Sequence, residues 1–262
     1  AAIHYTQSMS VYSLSRRMQQ QYESLTDRMD LFAMGNPDYG PTPIHPRDRR
    51  ELMRRTTVHS ALQLRDLDAA WTPLPGTEAE IRAAAALFPG STRAYLGPQA
   101  TEQQLQALDD SGQLKGFRYL LFSAHGFLST DQPALSSIVL GLTQRTAEAD
   151  GYVTAAEWAG YDLRSDLTIL SACDTGVGKV VSGEGVMGLP FALFVAGNVN
   201  TVLTLWPVDD QATAAFITRF LVRLKAGQKA AAALAETKRE FMRHARFSHP
   251  SYWAPFVLVG AG

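Results

Sequence analysis

The stretch Phe117-Arg-Tyr-Leu-Leu-Phe-Ser-Ala-His-Gly126 decides the fold. Its apolar run from Phe117 to Ser123 is typical of a strand that is buried on both faces, as the strands of a parallel sheet are. Leu167–Ala172 and Thr201–Leu205 are two further runs of this kind, and helical patterns lie between and beyond the three. Strands that alternate with helices predict an α/β fold with a mostly parallel central sheet flanked by helices.

Shorter patterns predict the remaining elements. Thr77-x-x-Glu80 and Thr154-x-x-Glu157 each have the form of a capping box, which predicts that a helix begins there. Val186–Ala196 is apolar all round and predicts a buried helix. The other predicted elements are a polar helix at Val11–Gln21 and strands at Met29–Met34, Ser137–Leu142 and Phe256–Val259.

Composition excludes several classes of protein. The 262 residues include 24 Lys and Arg against 25 Asp and Glu, so the basic surface of a nucleic-acid-binding protein is not expected. The longest strongly apolar run, Val186 to Gly197, is too short to span a membrane. The single cysteine excludes an internal disulfide and a cysteine-based zinc cluster, and no metal or cofactor is expected. A cytoplasmic, soluble enzyme or interaction domain is therefore predicted.

The chain opens at Ala1-Ala2, with neither an initiator methionine nor a signal-type apolar core, which suggests a piece of a longer protein. We expect residues 1–28 to be a polar, helical remnant of that longer chain. Residues 29–262 are expected to form the folded domain.

Two predicted strands end in reactive side chains. Ser123-Ala-His125-Gly126 follows the first run, and Ser171-Ala-Cys173-Asp174-Thr175-Gly176 follows the second, 48 residues later. Active groups of open α/β sheets collect at the carboxyl edge of the strands. A thiol of pKa about 8.5 needs a base to be a good nucleophile near neutral pH, and a histidine supplies one. This pattern favours a Cys173–His125 dyad, with the backbone N–H groups of Gly126 and Cys173 as oxyanion donors.

Each residue also has a simpler interpretation. A lone cysteine after an apolar strand is commonly a small buried hydrophobe, and a lone histidine is commonly structural. Only their joint position at two strand ends favours catalysis.

Taken together, the motifs resemble the CHAT domain, a bacterial peptidase domain related to caspases and separases and often found behind tetratricopeptide repeats. The order and spacing agree over about residues 29–260. The matching stretches are Ser123–Gly126, Leu170–Gly176, Leu205-Trp-Pro-Val-Asp-Asp210, Leu74–Ile81 and Tyr252–Gly260.

The resemblance implies a caspase-like fold and a cysteine endopeptidase in which His125 and Cys173 are catalytic. By analogy with separases, Asp210 would form the floor of a pocket for a basic side chain, which suits a guanidinium. Asp209 or Asp210 could instead cap the helix that begins near Gln211, and the two roles could be divided between them. Asp174 is a second candidate for the pocket.

Gly183-Glu-Gly-Val-Met-Gly188 spells the dinucleotide-binding pattern GxGxxG, but it does not follow a complete strand. We interpret it as part of a flexible glycine loop beside the substrate cleft, in which Glu184 contacts the substrate or anchors the loop.

The leading hypothesis is thus a protease that cleaves a protein partner and is controlled by tetratricopeptide repeats or by an activating partner. The alternative is a non-catalytic, caspase-like interaction domain. No nucleic acid or membrane partner is expected under either hypothesis.

Overall fold

The computed structural model describes residues 2–40, 61–129, 131–171, 184–206 and 208–262. Its α-helices, numbered along the chain, are α1 (Met9–Glu23), α2 (Pro75–Leu87), α3 (Glu102–Asp110), α4 (Ala155–Trp158), α5 (Glu184–Val195), α6 (Asp210–Lys225) and α7 (Ala230–Met242). Its strands are β1 (Met29–Gly35), β2 (Thr92–Leu96), β3 (Phe117–Ser123), β4 (His125–Phe127), β5 (Ser137–Val139), β6 (Tyr152–Thr154), β7 (Leu167–Leu170), β8 (Asn200–Thr204) and β9 (Phe256–Gly260). A 3-10 helix spans Ala61–Ala70.

Six strands form the central sheet in the order β2-β1-β3-β7-β8-β9. Every neighbouring pair is parallel except β8 and β9, which are antiparallel. The predicted α/β class and mostly parallel sheet are confirmed. The strand predicted at Ser137–Leu142 is shorter than expected and belongs to a second, antiparallel sheet of order β4-β5-β6.

Helices cover both faces of the central sheet, because alternate residues of each strand point to opposite sides. Leu121 and Ile169 pack with residues of α2, α6 and α7 on one face. Phe122 and Leu170 pack with residues of α3, α4 and α5 on the other. The central strands are therefore buried on both sides, as their continuous apolar sequences predict.

The N-terminal segment packs against the sheet. Tyr5 forms a parallel bridge to Val259 of β9, and the Tyr22 hydroxyl of α1 donates to the carbonyl of Gly197 at 3.0 Å. The helix predicted at Val11–Gln21 is confirmed in a slightly longer form, whereas the boundary between residues 28 and 29 stays a prediction. In the part of the chain that the structure describes, no helix combines the length and apolarity that crossing a membrane requires.

Two local predictions were wrong. Helix α2 begins at Pro75 rather than after Thr77, because proline is well suited to the first helical position. The Thr77 hydroxyl donates to the carbonyl of Leu74, and the Glu80 carboxyl bonds outside its own helix, so no capping box forms there. The box at Thr154 and Glu157 is confirmed.

Helix α5 is not buried all round. Leu193 is fully buried against the sheet, whereas Phe191 and Val195 are 48% and 51% exposed. An entirely apolar sequence could not indicate which face of this helix meets solvent.

Gly188, the last glycine of the GxGxxG pattern, allows α5 to approach the short 3-10 helix Pro133–Leu135. A Cβ atom at this position would lie 2.7 Å from the carbonyl oxygen of Pro133. Close packing between the two helices therefore accounts for this glycine.

We predict that Gly188→Ala lowers the free energy of unfolding by about 1–3 kcal/mol, because the added methyl group meets backbone that must shift. Urea denaturation measures the change. Gly116→Ala is the matched control, since a Cβ atom there meets nothing within 4 Å. Equal stability of the two variants would contradict the close approach.

Candidate functional site

The two strands that lead to the predicted dyad are direct neighbours. β3 pairs with β7 in parallel, with Phe122 opposite Leu170, and the pairing continues as the N–H of Ser171 donates to the carbonyl of Phe122 at 2.8 Å. Ser123 and Ser171 therefore lie side by side at the carboxyl edge of the sheet.

His125 begins β4, one residue beyond Ala124, and its side chain is fully buried. Its Nε2 atom lies 2.8 Å from the carbonyl oxygen of Thr72. A carbonyl can only accept, so Nε2 carries the proton and Nδ1 is the basic nitrogen of the neutral ring. This contact fixes both the tautomer and the orientation of the imidazole.

Two aromatic rings pack against the imidazole. The ring centroids of Tyr39 and Trp71 lie 5.0 Å and 5.1 Å from that of His125. The Trp71 indole N–H donates to the Tyr152 hydroxyl, which donates to the carboxylate of Asp68, both at 2.8 Å. Burial is the main cause that raises the pKa of Tyr152, so this phenol stays protonated and keeps its role as a donor.

The Tyr39 hydroxyl also fixes the backbone of β4. It accepts the N–H of His125 and donates to the carbonyl of Val139, each at 3.0 Å, although His125 and Val139 are opposite one another in the β4–β5 pair. A side-chain hydroxyl thus takes the place of a direct bond between the two strands. Strand β4 is thereby attached to the segment that follows β1.

A buried carboxyl group lies beneath the ends of β3 and β7. Glu80 of α2 is 2% exposed and accepts hydrogen bonds from the hydroxyls of Ser123 at 2.7 Å and Ser171 at 3.1 Å. Burial raises its pKa to about 7, and the negative charge of Asp210 raises it as well.

The neighbouring acids Asp209 and Asp210 have different roles. The Asp209 carboxylate accepts the N–H groups of Gln211 and Ala212, both at 3.1 Å, and caps α6. Asp210 is exposed at the start of α6 and faces Gly76, where an added Cβ atom would lie 2.9 Å from its Oδ2 atom. Of the two interpretations, capping therefore belongs to Asp209, and Asp210 is left as the pocket candidate.

Asp210 borders a narrow cavity that is partly open to solvent and whose volume of about 10 Å³ has room for about one water molecule. Glu80, Gly76, Ala124 and Ser171 also line it. The cavity is acidic and lies next to the residue that precedes His125.

The remaining predicted site residues are less completely described. Cys173 and Asp174 lie outside the described residues. Gly126 is the middle residue of β4, opposite Ile138. Glu184 is the first residue of α5. Their roles stay predictions.

Four residues around the site were not found from the sequence. Glu80 is predicted only as part of a capping box, and no role in the site is predicted for Trp71, Tyr39 or Thr72. Thr72 contributes only a backbone carbonyl, for which no sequence signal exists. The proximity of Glu80 to the site could have been suspected from its place among the resembling stretches.

A caspase-like fold is the class to which this arrangement belongs, with a mostly parallel six-stranded sheet, flanking helices and a histidine beyond a central strand. The chain matches the CHAT domain family over residues 1–261, and it therefore belongs to that family. It is 30% identical over 174 residues to tetratricopeptide repeat protein 28 of Homo sapiens and 28% identical over 172 residues to the Mus musculus protein. Each match covers 66% of this chain and spans only 6% of the length of the relative.

We predict that Tyr39→Phe lowers the free energy of unfolding by about 1–3 kcal/mol, because it leaves the buried N–H of His125 without the hydroxyl that accepts it. Chemical denaturation measures the loss. Tyr5→Phe serves as the control, since Tyr5 is 55% exposed. A Tyr39→Phe protein as stable as the control would contradict the role of this hydroxyl.

Proposed function

We propose that this chain is a cysteine endopeptidase that cleaves a protein partner through Cys173 and His125. The observation that carries the proposal is the direct pairing of β3 with β7, together with a histidine whose tautomer is fixed by the Thr72 carbonyl. Cys173 follows Ser171 by two residues in the sequence, and Ser171 lies beside Ser123 at the carboxyl edge of the sheet. The proposal is that Cys173 meets His125 at this edge.

The proposed chemistry begins with transfer of the thiol proton to Nδ1 of His125. The thiolate then attacks the scissile carbonyl carbon, and the tetrahedral intermediate collapses to an acyl-enzyme as the imidazolium protonates the leaving amine. His125 next takes a proton from water, which attacks the acyl-enzyme and releases the carboxylic acid and the thiol. The Thr72 carbonyl holds the Nε2 proton throughout and stabilises the imidazolium by a charge-assisted hydrogen bond.

The backbone around His125 supports Gly126 as an oxyanion donor. Bonded and non-bonded pairs alternate along an antiparallel ladder. Since the Tyr39 hydroxyl bridges the bonded pair of His125 and Val139, Gly126 falls at a non-bonded position. Its N–H is then directed away from β5, and we propose that the substrate carbonyl binds on that side after the site opens. The N–H of Cys173 is the proposed second donor.

The acidic cavity supports a preference for a basic side chain at the scissile residue. We assign Asp210 to the floor of this pocket, because its carboxylate is exposed there and is not used to cap α6. A carboxylate matches the paired N–H donors of a guanidinium. Asp174 and Glu184 are proposed as further contacts with the substrate.

The burial of His125 supports control of the activity. A fully buried imidazole cannot reach a substrate, so a rearrangement must open the site before chemistry. The similar proteins are tetratricopeptide repeat proteins of which this chain spans a small part, which supports control by such repeats or by an activating partner. The cytoplasmic location predicted from the sequence stays a prediction.

We predict that Cys173→Ala and His125→Ala each lower kcat for cleavage of a protein or peptide substrate by about 10³-fold or more, because either change removes the nucleophile or its base. The test is cleavage of a peptide library by the activated chain, followed by mass spectrometry, with labelling by a thiol-directed peptide probe. Cleavage that survives in purified Cys173→Ala protein would refute the dyad. Failure of the probe to label Cys173 in any activated state would favour the non-catalytic interaction domain.

We predict that Asp210→Asn lowers kcat/KM for substrates with Arg at the scissile position by about 10- to 100-fold relative to substrates with a neutral residue, since a charge-assisted hydrogen bond is worth about 1.5–3 kcal/mol. Asp209→Asn is the matched control at the adjacent position. Asparagine caps helices as well as aspartate does, so this variant should keep the preference. An unchanged preference in Asp210→Asn would remove Asp210 from the pocket.

A further inference from the structure

Glu80 joins three parts of the candidate site. Its two carboxyl oxygens each accept a hydrogen bond from a serine at the end of a different strand, Ser123 of β3 and Ser171 just beyond β7. Ser123 precedes His125 by two residues, and Ser171 precedes Cys173 by two. A single buried carboxyl group thus holds together the two chain segments that lead to the proposed dyad.

The same carboxyl group lines the acidic cavity. Glu80 and Asp210 both border it, and Asp210 of α6 is the charged side chain whose field acts on Glu80. The other polar groups that line the cavity are Ser171 and the hydroxyls of Thr77 on α2 and Thr213 on α6, none of which titrates near neutral pH.

We propose that Glu80 is a positioning residue that also determines specificity. When a cationic side chain binds in the acidic cavity beside Asp210, Glu80 responds to its charge and changes its hydrogen bonds to the strand ends that lead to His125 and Cys173. This inference rests on the proposed function, because it explains why the proposed protease would prefer substrates with a basic side chain.

The physical basis is the difference between the two forms of a carboxyl group. The ionised form offers only acceptors, so both serine hydroxyls can donate to it. The protonated form carries an O–H donor on one oxygen, so the serine at that oxygen accepts this proton instead of donating its own, and both bonds lose the charge assistance of the ionised form. The pKa of Glu80 is raised to about 7, so both forms are present near neutral pH.

A cation beside Asp210 favours the ionised form of Glu80. It offsets the negative charge of Asp210 and attracts that of Glu80, so its binding lowers the pKa of Glu80. A substrate with a basic side chain then strengthens both serine hydrogen bonds as it binds. A neutral side chain leaves the mixture of the two forms unchanged.

The test is a pH titration of the activated wild-type chain with ¹³C-labelled glutamate side chains. The titration is followed by NMR with and without saturating benzamidine, a probe that carries one cationic amidinium. We expect benzamidine to lower the pKa of Glu80 from about 7 by one unit or more. The signal of Glu80 is the one that is missing from the spectrum of Glu80→Gln. If that variant does not fold, the signal is assigned as the one that moves in Ser171→Ala, which removes one of the two hydrogen bonds to this carboxyl group.

Glu102 is an internal control in the same spectra. It is also buried, its pKa is also raised to about 7 by burial, and its carboxylate accepts the N–H of Gly151 at 2.7 Å. It does not line the cavity. A pKa of Glu80 that benzamidine leaves unchanged, an equal change at Glu102, or failure of benzamidine to bind would each overturn the proposal.

Cleavage assays separate this inference from the proposed function. In an active wild-type chain, we expect Glu80→Gln to lower kcat at least tenfold for Arg substrates and to remove the difference in kcat between Arg and neutral substrates. Glu102→Gln should keep that difference, and an unchanged difference in Glu80→Gln would overturn the coupling. If Glu80 responds to benzamidine but the activated wild-type chain cleaves nothing, the proposed protease is refuted together with the specificity role of Glu80, and only the response of Glu80 to a cation beside Asp210 stands.

Discussion

The parallel pairing of β3 with β7 is the constraint on which the rest of the site depends. The register that sets Phe122 opposite Leu170 also brings Ser123 beside Ser171. Alternation along the two strands turns both serines to the face covered by α2, where Glu80 accepts from each. A shift of one residue would turn one serine to the opposite face and separate it from the carboxyl group. The position of the site is therefore fixed by the packing of the sheet.

The environment of His125 is assembled from segments that are far apart in sequence. Tyr39 follows β1, Trp71 and Thr72 follow a 3-10 helix, and Val139 belongs to β5. Together they restrain the backbone, the ring and the tautomer of His125. The second sheet thus begins just beyond the carboxyl end of β3, and its strands β4 and β5 help to hold the imidazole of His125 in place.

Sequence patterns predicted the sheet well because buried parallel strands are long, apolar runs with few alternatives. They placed His125 just beyond β3 but left the roles of Asp209 and Asp210 open, and only the structure shows that Asp209 is the cap of α6. They failed at Thr77 and Glu80, where a capping pattern matched by residue type but Pro75 begins the helix earlier. They failed also for α5, whose uniform apolarity carries no information on its exposed face. The contact between the Thr72 carbonyl and His125 depends on tertiary structure alone, because a backbone carbonyl is the same for every type of residue.

The bridge between Tyr5 and Val259 has a consequence for association between molecules. Strand β9 ends the sheet, and the outer edge of such a strand is a template for another chain. The N–H of Tyr5 donates to the carbonyl of Leu258, and the N–H of Gly260 donates to the carbonyl of Tyr5, so these two edge groups are already occupied. The N-terminal segment thereby covers part of this edge and makes it less available for pairing with a strand of another molecule.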